Sequence, residues 1–175
     1  MQSVNRASSW EIRRLQLSDL PQMLEIIENV RREFGLAERV TALLEAADYS
    51  LLEVYRHRRS AYFVALRDGD VVGGAGIYPL VDGDWATCEL QRMYVRRQSR
   101  GRGAGQALLD ACLEAARALG FERCYAETIA EMTTAIGFYE RNGFYRLAAP
   151  RGETGHGHND RWLLLNIPSM IKGIT

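Results

Sequence analysis

Residues 92–105 read Arg92-Met93-Tyr94-Val95-Arg96-Arg97-Gln98-Ser99-Arg100-Gly101-Arg102-Gly103-Ala104-Gly105. Five arginines and no acid fall in the first eleven positions, and glycine recurs at 101, 103 and 105. Glycine lets a chain turn tightly and present successive N–H groups, and a helix starting directly afterwards adds its partial positive charge. The pattern behind the bend predicts such a helix, because Leu108, Cys112, Ala115 and Leu119 repeat at i, i+4, i+7 and i+11. Gly120 stops it, and Phe121 offers the apolar contact of a C-cap. A strand, a basic glycine bend and a helix in that order suit a phosphate group.

Upstream, residues 86–96 (ATCELQRMYVR) predict a strand in which period two puts Glu89, Gln91, Met93 and Val95 on one face and Leu90, Arg92 and Tyr94 on the other. Residues 61–66 and 71–80 are β-branched and aromatic, and Arg67-Asp68-Gly69-Asp70 between them carries an Asp-Gly hairpin signal. Residues 10–17 predict an edge strand. Ser18-Asp19 then offers a helix cap before Pro21, and Met23, Leu24, Ile27 and Val30 carry that helix to about Glu33. A second helical segment is expected over 38–58, broken near Asp48–Ser50.

Downstream come a short strand at 122–128, a helix over 132–141 ended by Asn142-Gly143-Phe144, and strands at 144–149 and 160–167. The order predicts one α/β domain over residues 1–175, a mixed sheet with helices packed on it.

The whole chain sets bounds on partners. At 175 residues it can bury about 70% of its extended-chain surface, so a core forms without staples. Lys plus Arg and Asp plus Glu both number 22, and zero net charge gives no global field toward nucleic acid or anionic lipid. A polyanion must therefore meet a local patch. Cys88, Cys112 and Cys124 are odd in number, lack C-x-x-C spacing and sit among apolar residues, so they read as reduced core thiols. Charges interrupt the N-terminal stretch and no apolar run reaches the ~18 residues a membrane helix needs, so a cytoplasmic location and no membrane partner are expected.

Two phosphate motifs fail at residues 100–105. A P-loop needs a Lys after its last glycine, yet the only lysine is Lys172. A dinucleotide fingerprint needs a third glycine where Gln106 stands. What remains is Arg100-x-x-Gly103-x-Gly105 between strand and helix. Together with Glu89–Val95 before it and the later Ala135-Ile136-Gly137-Phe138-Tyr139-Glu140-Arg141-Asn142-Gly143-Phe144, it resembles the GNAT superfamily of acetyl-CoA-dependent N-acetyltransferases. The resemblance covers roughly residues 10–167. It implies a mostly antiparallel central sheet splayed into a V, the gap lying between the strands ending near Val95 and Thr128.

It also implies roles. The N–H groups of Arg100, Gly101, Arg102, Gly103, Ala104 and Gly105 would hold the diphosphate of acetyl-CoA, Tyr94 and Val95 would meet the pantetheine arm, and the N–H of Met93 would face the thioester oxygen. Met132 stands where the family often has Asn, and would serve as a packing surface along the arm. Acyl transfer to an amine passes through an oxyanion that a fixed backbone donor stabilises by a few kcal/mol. A carboxylate can take the amine's proton, and Glu89, set on Met93's face by period two, matches the base used by several family members. Its alternatives are a substrate-amine anchor and a strand residue paired near Arg92. Tyr139 can donate to the departing thiolate, since a phenol titrates near ~10 against ~8.5 for a thiol. Phe138 is the better core candidate of the two aromatics.

The implied reaction is direct attack in a ternary complex on a small-molecule or peptide amine, with no metal, no nucleic acid and no covalent enzyme intermediate. Cys88, on the face opposite Glu89, makes a poor nucleophile. A silent acyl-CoA-binding module of the same fold is the alternative, and a nucleic-acid site on the arginines would show steep salt dependence. His156 and His158 form only an H-x-H pair in a polar loop, Gly152–Asn159, expected to border the acceptor entrance. Pairing of two copies through the last strands is a further expectation.

Overall fold

The structure is a computed structural model that describes residues 10–35, 50–155 and 159–168. Its elements are β1 (Glu11–Arg14), α1 (Leu20–Glu33), α2 (Ser50–Val54), β2 (Ala61–Arg67), β3 (Asp70–Pro79), β4 (Thr87–Val95), α3 (Ala104–Ala118), β5 (Arg123–Thr128), α4 (Thr133–Arg141), β6 (Tyr145–Leu147) and β7 (Arg161–Asn166). The seven strands form one sheet in the order β1-β2-β3-β4-β5-β7-β6. Its pairings are antiparallel except between β4 and β5, which α3 connects as a crossover. Of the helix expected over 38–58, only the part from Ser50 on lies within the described residues.

Local sequence explains the joints. Asp68 and Gly69 sit at φ +54° and +89°, the positive values a two-residue hairpin turn requires, and Arg67 pairs with Asp70 across it. Gly143 at φ +87° ends α4, and Phe144 N–H reaches back to Tyr139 O at 3.1 Å. Asp19 does not cap α1 as expected, because its own backbone is already helical. Its carboxylate instead accepts from Gln16 N–H at 2.8 Å, closing a 3-10 turn over Leu17–Asp19, and from the Arg13 guanidinium at 2.6 and 2.9 Å.

Each sheet face has its own helices. Leu108, Leu109 and Cys112 of α3 are fully buried against Ala65, Ala75, Ile77, Cys88 and Leu90. Burying a leucine contributes roughly 1.5–3 kcal/mol, enough to fix which side of α3 faces the sheet. On the other face Met23, Ile26, Ile27 and Val30 of α1 pack with Tyr62, Val64 and Tyr55. The three cysteines are buried free thiols, and burial raises Cys112 above the ordinary thiol range. Cys124 is also raised, first by its hydrogen bond with Cys88 and then by burial.

One expectation fails inside β4. Gly76 pairs with Gln91 but Gly74 pairs with Tyr94, so β4 carries one residue more than β3 across this step. Arg92 takes φ +50° at this bulge. The extra residue inverts the alternation. Cys88 and Leu90, then Met93 and Val95, pack on the α3 face, whereas Tyr94 joins the α1 face that holds Glu89 and Gln91. Glu89 and Met93 therefore do not share a face.

Candidate active site

The β4–β5 ladder runs only from Thr87↔Arg123 to Leu90↔Ala126. Past it the two strands diverge, leaving Gln91–Val95 of β4 facing a gap. A cleft of about 710 Å³ lies here, in the size range of small-molecule sites. It is lined by Met93, Tyr94 and Val95 of β4, by Gly101, Gly103 and Gly105 of the bend, and by Met132, Phe138 and Tyr139 around α4. The spacing of the sequence motif and the later aromatic pair thus meet in one space.

The bend is shaped for N–H presentation. Gly101 and Gly103 have φ +69° and +91°, values that L side chains rarely adopt. Ala107 N–H is the first to enter the helical ladder, donating to Gly103 O at 3.0 Å, so the N–H groups of Ala104, Gly105 and Gln106 lack intrahelical partners. They belong to the positive end of α3. Arg102 and Ala104 are not among the cleft-lining residues. Ala104 is buried against the sheet, and Arg102 O accepts from the Trp10 indole N–H at 2.8 Å.

Arg100 lines the cleft but has its polar groups committed elsewhere. Its N–H donates to Arg97 O at 3.3 Å and its Nε donates to Val95 O at 2.9 Å. Its two terminal nitrogens donate to Glu33 Oε1 and Oε2 at 2.9 and 2.8 Å. The Arg100 guanidinium holds the Glu33 carboxyl below the usual carboxylate range. The arginine thereby ties the end of α1 to the bend.

Tyr139 is the buried aromatic of its pair, and Phe138 the partly exposed one, the reverse of the expectation. Burial pushes the Tyr139 phenol well above its usual value, so it keeps its proton. Its hydroxyl points at Met93 Sδ, 3.9 Å away. Met132 sits at the start of α4 on the cleft wall.

Glu89 lies outside the cleft lining, on the α1 face, and is only 2% exposed. Gln91 Nε2 donates to Glu89 Oε2 at 2.6 Å, and the Tyr55 hydroxyl donates to Gln91 Oε1 at 3.0 Å. On the adjoining arm of the V, Glu127 accepts from Tyr125, Thr154 and Asn159 at 2.7–3.1 Å, fastening the loop after β6 to β5. His156 and His158 lie outside the described residues. Among the described residues no helix is long and apolar enough to cross a membrane.

Sequence motifs did not reveal Trp10, Glu33 or Tyr55, whose partners are 36 to 92 positions away. Gln91 was legible in part, since period two set it beside Glu89.

Comparison with known proteins agrees with this architecture. The model of the Acetyltransferase (GNAT) family matches residues 22–144. The uncharacterized N-acetyltransferase YjgM of Escherichia coli (strain K12) is 40% identical over 146 residues, covering 83% of this chain and 87% of that protein. A GNAT-family acetyltransferase from Staphylococcus aureus Mu50 superposes with a TM-score of 0.80 at 19% identity, over 91% of this chain and all of the other. The PaiA N-acetyltransferase of Thermoplasma acidophilum, solved in complex with coenzyme A, superposes with a TM-score of 0.73 at 18% identity, over 90% of this chain and 99% of that one. With a family match over well over half its length and a relative at 40% identity, the chain belongs to the GNAT family of acetyltransferases.

Proposed function

We propose that this protein transfers the acetyl group of acetyl-CoA to a primary amine, of a small molecule or a peptide, by direct attack in a ternary complex. The observation that carries the reading is the meeting, in one cleft, of a diverged strand edge, a glycine bend at a helix start and a protonated tyrosine. These features fit the coenzyme. The bend offers N–H donors to a diphosphate, the open edge of β4 offers backbone groups to an amide-bearing arm, and the volume accommodates both.

Acetyl-CoA supplies the activated acyl thioester. The chain's own groups do the rest. The N–H groups of Gly101, Gly103 and Gly105 bind and fix the diphosphate, Tyr94 and Val95 align the arm, and Met132 and Phe138 pack beside it. Met93 N–H is the donor to the acyl oxygen. Tyr139 holds a proton on its hydroxyl and gives it, or a hydrogen bond, to the leaving sulfur, in the region where the Met93 thioether now sits. Glu89, oriented by Gln91, receives the amine's proton from the opposite sheet face, directly or through water. As the bulge puts Glu89 and Met93 on opposite faces, the reading has the amine approach from the α1 side while the coenzyme enters from the α3 side.

Free-thiol release from acetyl-CoA, followed with a panel of amines, tests this, with coenzyme binding measured by calorimetry. Wild type is expected to release thiol in an amine-dependent way, and Glu89→Gln to lose at least tenfold in kcat while binding coenzyme normally. Tight coenzyme binding with no amine-dependent release across a broad panel would reject the transferase reading.

A further inference from the structure

We infer that Tyr62 is a positioning residue for acyl transfer, holding the β4 bulge in the conformation that aims the Met93 N–H. The inference rests on the role proposed for Met93. Tyr62 lies on β2, two strands from the site, and is 2% exposed. Its ring crosses β3 over Gly74, where an added Cβ would come within 2.7 Å of Tyr62 Cε1. Having crossed, its hydroxyl donates to Arg92 O at 2.9 Å.

That carbonyl belongs to the peptide whose N–H is Met93's. Described peptides are all trans, so the carbonyl and the N–H of one peptide point in opposite directions. Fixing Arg92 O on Tyr62 therefore turns the Met93 N–H away from the α1 face, toward the side where Met93 lines the cleft. Arg92 needs such a tether. A non-glycine residue at φ +50° is strained, and it persists only where surrounding groups over-determine it. The adjoining ring of Tyr55, 5.0 Å from that of Tyr62, reaches the same strand one residue earlier by its bond to Gln91. The two tyrosines brace β4 on either side of the bulge's start.

Tyr62→Phe removes the hydroxyl and keeps the ring. The variant is expected to bind CoA within about twofold of wild type while kcat falls about tenfold, less than the roughly 10²–10³-fold that outright removal of an oxyanion donor costs, because the donor is displaced and not deleted. A structural role alone would lower thermal stability without this split. The second measurement needs no turnover: the Met93 amide resonance is followed during titration with CoA and with acetyl-CoA. In wild type the acetylated ligand, which alone carries the acyl oxygen, shifts it further than CoA does, and in Tyr62→Phe that difference shrinks. Unchanged kcat in the variant, or a Met93 amide that does not distinguish the two ligands in an active wild type, overturns the inference. An inactive wild type would instead overturn the transferase reading itself.

Discussion

Glu33, the last residue of α1, and Arg100, the first residue of the glycine motif, are joined by two parallel hydrogen bonds of 2.9 and 2.8 Å. Planar pairing of this kind fixes orientation as well as distance. Both side chains are about 30% exposed, so the pair contributes at most about 1 kcal/mol to stability. Its main effect is on the shape of the bend. Glu33→Gln is expected to raise the acetyl-CoA KM several-fold with kcat within twofold of wild type. Added to Arg100→Gln it should change little further, because the pair is already broken there, although Arg100→Gln alone also loses the bond to Val95 O. Steady-state kinetics on the four proteins of the cycle check this.

Tyr139→Phe retains the ring packing against Phe138 and Phe144 and loses only the hydroxyl. If the hydroxyl protonates the leaving sulfur, kcat falls by about 10²-fold or more while acetyl-CoA binding is unchanged. Burial raises this phenol, so the wild-type rate should show no loss from its ionisation up to the ordinary tyrosine range. A pH profile of kcat on both proteins gives the answer.

The Trp10 indole holds Arg102 O, and by trans-peptide geometry this turns the Gly103 N–H away from Trp10. Trp10→Phe deletes the donor and is expected to weaken CoA binding several-fold in calorimetry. Gly103→Ala should do more, because its φ of +91° costs an L side chain about 1–2 kcal/mol even though the new methyl would meet the Trp10 nitrogen only at ordinary contact distance.

Asp19 is 4% exposed, and its pKa is lowered, first by the hydrogen bond from Arg13 and further by Gln16 N–H, against the opposing effect of burial. A depressed carboxyl adds stability at pH values above its unfolded pKa, about 4, and the gain is lost as pH falls through the folded value. Asp19→Asn should therefore lower stability by about 1–3 kcal/mol at neutral pH, with the difference from wild type shrinking below about pH 4. Denaturant melts at pH 7 and pH 3 measure the difference.

Turn chemistry and periodicity made most of the fold legible. Asp68-Gly69, Gly120-Phe121 and Gly143-Phe144 all punctuate the chain where local conformation demands it, and such signals lie within a few residues of one another. The bend and Tyr139 were legible for the same reason, since short motifs carry them. Period two, however, assumes an unbroken strand, and a bulge leaves no composition signature: Arg92 looks like any strand residue until β3 is laid beside it. Trp10 and Glu33 were equally silent, because their partners are set by the tertiary fold.

The extra residue at Arg92 also fixes how β4 can lie against β3. The two halves of the strand are out of phase, so a slip by one position would expose Cys88 and Leu90 in one half and Met93 and Val95 in the other. A slip by two would restore the faces but carry the kink away from Gly74 and the Tyr62 hydroxyl. Only one alignment satisfies both halves, and deleting a single residue from this strand would reverse whichever half follows the cut.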